Sequence, residues 1–330
     1  MTKNNRPVAT MMMPLENRRE AILELATTAD KTGYNSIYLT ESWSYDSTLL
    51  LTEIAMRTEK IKLGTAVLSI WGRSAGTFSM SAATLNKISG GRFTLGLGSS
   101  TKQLTEGFHD VPYGLPYQKI RKILQQTRSL LEGGRIPLDP NSDVRPLKLN
   151  LKDIGKIPIM LAASSDRSIE LAWELCEGWI PFLYPKSNIR KQVNKFHLSE
   201  VLTERQKNWQ IAPIIPAIAN KDRALARKGA SWVVAFYINK MGPVYRDTLK
   251  RIGFADEIDC VLAASKLEGK PVVPQDAEAL LSELALYGTP DEIKENLEDW
   301  YEAGATEPCL MTNPNLNMDE IKYNVESLAP

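Results

Sequence analysis

A glycine-containing turn is the first place in the sequence where residue types suggest chemistry. The apolar residues Phe93 to Leu97 predict a short buried strand, and Gly98, Ser99 and Ser100 follow it directly. Glycine lets backbone amides approach a ligand that a β-carbon would block, and serine adds a small hydrogen-bonding hydroxyl. The turn is therefore a candidate site for a flat cofactor. A tight strand-to-helix turn without a ligand accounts for the same residues.

Two nucleotide-binding motifs are excluded at this turn. Gly96 and Gly98 supply the first two glycines of a dinucleotide fingerprint, but Thr101 stands where the third would be required. The turn also lacks the Gly-Lys-Ser/Thr ending of a nucleotide P-loop.

Three other side chains are candidates for the chemistry itself. Glu41 follows the predicted strand Ser36–Thr40, where a partly desolvated carboxylate could donate a proton. Instead of a proton donor, Glu41 could be a surface acid or an ion-pair partner of Arg73. Trp43 could stack on a ring or substrate, or belong to the core or an interface. His109 could contact substrate, or be a structural histidine.

Composition narrows the class of protein. The chain has 330 residues, of which 43% are hydrophobic, so it can bury a large core. Forty basic and 39 acidic residues leave a net charge of +1, which gives no electrostatic footprint for nucleic acid or an anionic membrane. The three cysteines and two histidines lack metal-ligand spacing, so neither a metal site nor a disulfide framework is expected. No apolar stretch approaches the roughly 20 residues of a membrane span. The short run Val8–Pro14 does not predict a signal peptide, so we expect a cytoplasmic protein.

Short strand-like runs alternate with helical periodicity along the whole chain. The predicted strands are Val8–Met13, Ser36–Thr40, Ile61–Leu68, Phe93–Leu97, Ile157–Ala162, Trp179–Leu183, Ile211–Ala219 and Glu307–Met311. The predicted helices are Asn17–Lys31, Ser47–Thr58, Ser74–Ile88, Tyr117–Leu131, Ser165–Cys176, Ser187–Glu204, Ala277–Leu286 and Asp291–Ala303. Eight strands and the absent dinucleotide fingerprint favour an α/β fold of the (β/α)8 TIM barrel type, with a doubly wound open sheet as the alternative.

Two segments interrupt this alternation within a predicted single domain of residues 1–330. Residues 135–156 contain prolines, asparagines and alternating apolar positions, which predict an inserted hairpin. Residues 221–274 predict an extended helical insertion before the last strand. Shortly before that strand, Thr289 and Pro290 form a helix-start signal, an N-cap residue followed by proline at the first helical position.

Six segments match, in order, those of one enzyme family. They are Gly33–Trp43, Lys60–Val67, Ala82–Gly98, Glu106–Pro112, Ile157–Ala163 and Tyr287–Glu292. The sequence thus resembles the luciferase-like flavin and deazaflavin oxidoreductases. It is most similar to the branch that contains the coenzyme F420-dependent methylenetetrahydromethanopterin reductases.

The resemblance implies a barrel with an insertion and a ring-shaped cofactor at the carboxyl ends of the strands. It places a bulge and a non-prolyl cis peptide at Ala66–Val67, behind the ring. It also places the cofactor's phosphate at the turn after the fifth strand, although Ser164 or Ser165 could equally cap the next helix, and Arg167 could lie in solvent. The predicted cofactor-binding residues are Thr65, Ala66, Val67, Gly98, Ser99, Ser100, Ala163, Ser164, Ser165 and Arg167.

The strings Glu41–Asp46 and Glu106–His109 resemble the deazaflavin branch, so we expect F420, with FMN as the alternative cofactor. The implied reaction is hydride transfer between F420 and a small organic substrate, either methylene-tetrahydropterin-like or a carbonyl or enone compound, with Glu41, Trp43 and His109 as catalytic candidates. FMN would instead permit monooxygenation. Ser42 and Met11–Met13 stand where relatives carry a histidine and a glutamate, which keeps a non-catalytic barrel with a binding role as a further alternative. The resemblance also implies a homodimer formed through the second and third helices.

Overall fold

The structure is a computed structural model that describes residues 6–197, 202–314 and 316–330. Its strands are β1 (Ala9–Met12), β2 (Ser36–Leu39), β3 (Lys62–Thr65), β4 (Leu68–Ser69), β5 (Phe93–Gly98), β6 (Ile159–Leu161), β7 (Gly178–Trp179), β8 (Gln210–Ile211), β9 (Ile214–Ala219), β10 (Leu286–Gly288) and β11 (Cys309–Thr312). Its helices are α1 (Arg19–Thr32), α2 (Ser47–Arg57), α3 (Ala75–Ile88), α4 (Lys102–Gly107), α5 (Pro116–Leu131), α6 (Asp166–Leu175), α7 (Lys186–His197), α8 (Glu204–Lys207), α9 (Arg223–Lys240), α10 (Pro243–Arg251), α11 (Ala255–Glu268), α12 (Glu278–Leu284), α13 (Pro290–Glu302) and α14 (Met318–Ser327).

The chain divides into two compact units. The central unit is Ser36–Ile180, and the terminal unit takes in the chain up to Asn35 and from Pro181 onward. That residues 1–330 form a single domain stays a prediction. Among the described helices, none combines the length and hydrophobicity needed to cross a bilayer.

A parallel sheet with the order β2-β3-β5-β6-β7 forms the core of the central unit. Strand β4 pairs with β5 beyond the end of β3, through Leu68 opposite Leu97 and Ser69 opposite Gly98. The predicted strand Ile61–Leu68 is therefore two strands joined by the peptide between Ala66 and Val67. That peptide is cis, as the resemblance predicts. Because the sheet is parallel, the carboxyl ends of β2, β4, β5 and β6 lie at one edge.

Two glycines let the bulge pack against β5. A β-carbon on Gly96 would lie 1.9 Å from the carbonyl oxygen of Thr65, and one on Gly98 would lie 2.5 Å from Cγ2 of Val67. A β-carbon at either position would force its neighbour to move, so this Gly-x-Gly serves a contact between strands. That Gly98 also lies against a ligand stays a prediction.

Arg92 hydrogen-bonds to backbone at the opposite end of the same sheet. Its guanidinium donates to the carbonyl oxygens of Ala55, Thr58, Ile61 and Ser89 at distances of 2.6 to 2.9 Å. These carbonyls belong to the ends of α2 and α3 and to the start of β3, where helical acceptors are otherwise unpaired. Arg92 therefore fixes the amino ends of the strands.

Within the terminal unit, four parallel strands pair in the order β10-β9-β11-β1. Helix α13 begins where the sequence predicts: Thr289 accepts a hydrogen bond from the amide of Glu292, the Glu292 side chain accepts one from the amide of Thr289, and Pro290 is the first helical residue. Strand β10 was not predicted; the predicted helix Ala277–Leu286 ends at Leu284 instead. Residues 221–274 contain α9, α10 and α11.

Two sequence predictions need correction. Residues 135–156 contain no strand, and the hairpin prediction is wrong. Three prolines remove backbone donors from the segment, and it is crossed by a hydrogen bond from the amide of Ile136 to the carbonyl of Leu147 (2.8 Å). The predicted helix Ser187–Glu204 is not continuous, because Thr203 caps a separate helix, α8. The described part of α7 is Lys186–His197, and residues 198–201 lie outside the described residues.

Candidate active site

The candidate residues of the central unit lie where adjacent parallel strands end. Glu41 follows β2, Val67 precedes β4, Ser99 follows β5 and Ala163 follows β6. Ligand sites in parallel α/β folds occupy this edge of the sheet. Local sequence thus places these residues, and the strand order brings them together.

Residues 39–41 run alongside the bulge and hydrogen-bond to it four times. The Leu39 carbonyl accepts from the Ala66 amide (2.8 Å), the Thr40 hydroxyl donates to the Ala66 carbonyl (2.5 Å), and the Glu41 amide donates to the Val67 carbonyl (3.2 Å). The Glu41 carboxylate accepts the fourth bond, from the amide of Ser69 (3.0 Å).

Glu41 is also the ion-pair partner of Arg73. One oxygen of Glu41 contacts the Arg73 guanidinium, and the two side chains are only 10% and 12% exposed. The guanidinium continues to Asp46 (2.7 Å), which caps α2 by accepting from the amides of Thr48 and Leu49. Partial burial opposes ionisation of Asp46, but the hydrogen bond from Thr48 and the charge of Arg73 outweigh it and lower the pKa of Asp46. Of the alternatives open to Glu41, the structure shows the ion pair; proton donation stays a prediction.

An aromatic wall lies beside the turn after β5. The indole nitrogen of Trp71 donates to the carbonyl of Ser99 (2.8 Å), and its ring packs on Tyr113 with centroids 5.3 Å apart. The ammonium of Lys119 lies 5.4 Å from the centroid of Trp71. Burial raises the pKa of Tyr113, although a hydrogen bond with Ser99 acts in the opposite direction.

His109 packs against the backbone at Gly72. A β-carbon on Gly72 would lie 3.0 Å from Cε1 of the imidazole, and Phe108 meets the imidazole edge to face at 5.2 Å. Nε2 of His109 is buried and has no hydrogen-bond partner among the residues that the structure describes. Trp43 lies in the loop after β2 and is 51% exposed.

Two predicted cofactor residues present no side chain to a ligand. Thr65 is fully buried, and its hydroxyl donates to the carbonyl of Gly96 and accepts from its amide, both at 2.8 Å. Gly98 is buried under Val67. Both residues hold β5 against the bulge, and contact of either residue with a cofactor stays a prediction. Val67 itself is half-buried, whereas Ala66 is buried.

Ser99, Ser100 and residues 162–165 are half-buried and small, so the ends of β5 and β6 present mainly backbone. Ser100 adopts a left-handed conformation, with φ of 56°. Ser165 caps α6 in a reciprocal capping box with Ser168. Of the two roles predicted for Ser165, phosphate contact and helix capping, its side chain therefore performs the capping.

Ala163 accepts from the indole nitrogen of Trp179 (2.9 Å). Ser164 is half-buried, and Arg167 stacks on Tyr117 with 3.8 Å between its guanidinium carbon and the ring centroid.

The structure adds residues that the sequence analysis missed: Asp46, Ser69, Tyr113, Tyr117 and Lys119. Asp46 precedes Ser47 and Thr48 and carries a recognisable N-cap signal. The others are neighbours only in space, across strands and helices, and single-sequence patterns give no signal for them.

The residues at these strand ends fit a flat, largely neutral ring system. The floor is backbone and small side chains, one wall is aromatic, and the side chains of Ser99, Ser100 and Ser164 bring hydroxyls to the same edge. Among the residues that the structure describes, no group of three or more histidine, cysteine, aspartate or glutamate side chains could hold a metal ion.

The model of the luciferase-like monooxygenase family matches residues 4–307. The chain belongs to this family. It is 26% identical over 310 residues to a Mycobacterium tuberculosis protein provisionally named a coenzyme F420-dependent oxidoreductase, covering 86% of the chain and 88% of that protein. It is 27% identical over 291 residues to the 5,10-methylenetetrahydromethanopterin reductase of Archaeoglobus fulgidus, covering 84% and 85%.

Solved structures show the same fold. The coenzyme F420-dependent tetrahydromethanopterin reductase of Methanopyrus kandleri superposes with a TM-score of 0.74 at 20% identity, covering 98% of this chain and 97% of that one. The oxygenating component of 3,6-diketocamphane monooxygenase from Pseudomonas putida, solved with FMN, gives 0.69 at 15% identity, covering 98% and 97%. The predicted TIM barrel fold and the family resemblance are thus confirmed. The relatives are oxidoreductases and monooxygenases that use deazaflavin or flavin.

Proposed function

We propose that this protein is an F420-dependent oxidoreductase that transfers a hydride between the deazaflavin and a small organic substrate. One observation carries the choice: sequence similarity extends over at least 84% of the chain to proteins named for F420 or for a methylene-tetrahydropterin substrate. The likeness to FMN-bound structures is below 25% identity and supports the fold alone.

The strand ends supply residues for such a cofactor. The backbone at Val67, Ser99 and Ser100 would lie against the ring, and the turn at Ser164 with Arg167 would face the phosphate. A bound deazaflavin supplies hydride chemistry and does not activate oxygen. The protein's part is to orient the substrate at short range and exclude water.

Two side chains are assigned to the substrate side of this site. Trp43 offers a large exposed aromatic surface in the loop after β2. His109 is assigned a contact with the substrate, because its buried Nε2 has no hydrogen-bond partner within the described part of the chain. The substrate class that fits this proposal is a methylene-tetrahydropterin-like or carbonyl compound.

Titration of the purified protein with F420 and with FMN tests the cofactor, with fluorescence and thermal unfolding as readouts. We expect F420 to bind more tightly and to raise the unfolding temperature, because a ligand selective for the folded state stabilises it. Oxidation of reduced F420 by candidate substrates then tests turnover. Tight FMN binding without a response to F420 contradicts the proposal, and no response to either cofactor favours a non-catalytic barrel.

The second candidate function is an FMN-dependent monooxygenase. The description of the family as luciferase-like monooxygenases favours it. Oxygen consumption with reduced FMN and a candidate substrate distinguishes this reaction, because a deazaflavin enzyme consumes no oxygen.

Homodimerisation through α2 and α3 is part of the proposal. These adjacent helices expose Leu49 (72%), Met56 (78%), Met80 (59%) and Ile88 (44%), and a twofold interface uses one such patch on both copies. We expect a dimer in sedimentation experiments that Met56→Lys together with Met80→Lys dissociates. The control is Leu267→Lys, which charges an 88% exposed leucine on α11 of the terminal unit. Dissociation by the control, or a wild-type monomer, contradicts this interface.

A further inference from the structure

The bulge between β3 and β4 depends on residues outside its own strands. Ala66, Val67 and Ser69 all hydrogen-bond to the segment 39–41, through two amide donors and two carbonyl acceptors. Three of these bonds use backbone groups or the hydroxyl of Thr40. The fourth, from the Ser69 amide, uses the side chain of Glu41.

Both oxygens of that carboxylate are occupied. One accepts from Ser69, and the other contacts the guanidinium of Arg73. Arg73 is fixed in turn by Asp46 at the start of α2. The hydrogen bond from Ser69 is directional and the ion pair with Arg73 is largely buried, so the carboxylate has a defined position. A proton donor has to carry a proton on one of these oxygens, and protonation would remove an acceptor that the arrangement uses.

We propose that Glu41 is a positioning residue. Its carboxylate holds the backbone of Val67 to Ser69 in place, and Arg73 and Asp46 hold the carboxylate. Under the proposed function the cofactor ring lies against this backbone, so the predicted effect on cofactor affinity rests on that function. The predicted effect on the backbone of Val67 to Ser69 is independent of it.

Two substitutions separate this role from acid catalysis. Glu41→Gln keeps an oxygen for the Ser69 amide and loses the charge that Arg73 pairs with, whereas Glu41→Ala loses both. A positioning residue predicts graded effects, with Ala worse than Gln. A catalytic acid predicts equal and large losses of turnover, because neither variant can donate a proton.

The first experiment needs no cofactor. Hydrogen exchange of the ligand-free protein is measured by mass spectrometry on peptides covering residues 63–71, for wild type, Glu41→Gln, Glu41→Ala and Arg73→Met. We expect exchange to accelerate by about tenfold in Glu41→Ala and less in Glu41→Gln, since one amide loses its acceptor. The matched control is Glu53→Gln, which breaks the surface ion pair with Arg57 on α2. Unchanged exchange in Glu41→Ala overturns the proposal.

The second experiment uses the cofactor that the wild type binds. For Glu41→Ala we expect the dissociation constant to rise about 10- to 100-fold, as small displacements of a binding surface do. The pH profile of kcat at saturating cofactor should keep its shape in Glu41→Gln. Loss of one limb of that profile with unchanged cofactor affinity overturns the positioning role and assigns Glu41 as the acid. Failure of the wild type to bind F420 contradicts the proposed function and leaves the exchange result standing.

Discussion

Gly96 is the glycine whose replacement by a larger residue would cause the most severe steric clash. An alanine β-carbon there would lie 1.9 Å from the carbonyl oxygen of Thr65, and ordinary contact begins at 3.4 Å. The two strands would have to part by about 1.5 Å. The obstacle is backbone, so it cannot move by changing a rotamer.

Strand separation of that size breaks more than one contact. The Thr65 hydroxyl bonds to both the amide and the carbonyl of Gly96, and both bonds are buried. Overpacking a core costs about 1–3 kcal/mol where side chains can adjust. For Gly96→Ala we therefore expect a loss of at least about 3 kcal/mol in the free energy of unfolding.

Urea unfolding followed by circular dichroism, together with soluble yield, measures this loss. Gly98→Ala meets only a methyl group of Val67, at 2.5 Å, so it should cost less and should displace the bulge. Gly76→Ala on α3 is the matched control, because its β-carbon makes only an ordinary contact of 3.6 Å with Ser74, and it should be neutral or slightly stabilising. A Gly96→Ala protein within 1 kcal/mol of wild type, on the order of a surface substitution, would refute the reasoning.

Three further outcomes are expected. Thr65→Val leaves buried backbone groups of β5 without their partner and should cost about 1–3 kcal/mol in urea unfolding, whereas Thr84→Val on the exposed face of α3 should stay within about 0.5 kcal/mol. The pKa of Asp46 is lowered from its ordinary 3.8, so its ionisation stabilises the fold above that value and the contribution is lost as pH falls through the lowered pKa. The stability difference between wild type and Asp46→Asn should therefore shrink on acidification below pH 4, and a constant difference would contradict the shift. Under the proposed function, Arg167→Met should weaken F420 binding by about tenfold. Tyr117→Leu should do the same because its ring supports the guanidinium, and a Tyr117→Leu protein with wild-type affinity would argue against that support.

The sequence predicts the elements well where the signal is local. The helix start at Thr289 and Pro290 depends on residues within one turn, and the structure shows the capping box. The strand Phe93–Leu97 is predicted by a short apolar run and differs by one residue from the observed β5, in which every residue is buried. The hairpin prediction for residues 135–156 fails because the alternation of apolar residues predicts strands, whereas the prolines among them prevent a ladder of hydrogen bonds between strands.

The site was less predictable because its contacts are long-range. Gly96 and Gly98 are glycines on account of Thr65 and Val67, about thirty residues earlier in the chain, so their interpretation as a ligand turn could not be tested from the sequence. Arg73 was a candidate partner for Glu41, but the shared contact with Ser69 appears only once β4 is placed beside β5. The placement of the cis peptide came from resemblance and not from residue pattern.

The guanidinium of Arg92 binds backbone at the end of the sheet opposite the candidate active site. Arg92 belongs to Ala82–Gly98, the longest of the six segments that resemble the family. Resemblance at Arg92 therefore bears on architecture and not on the coenzyme. A search for determinants of coenzyme choice within this lineage should therefore discount that segment and compare the loops at the opposite rim.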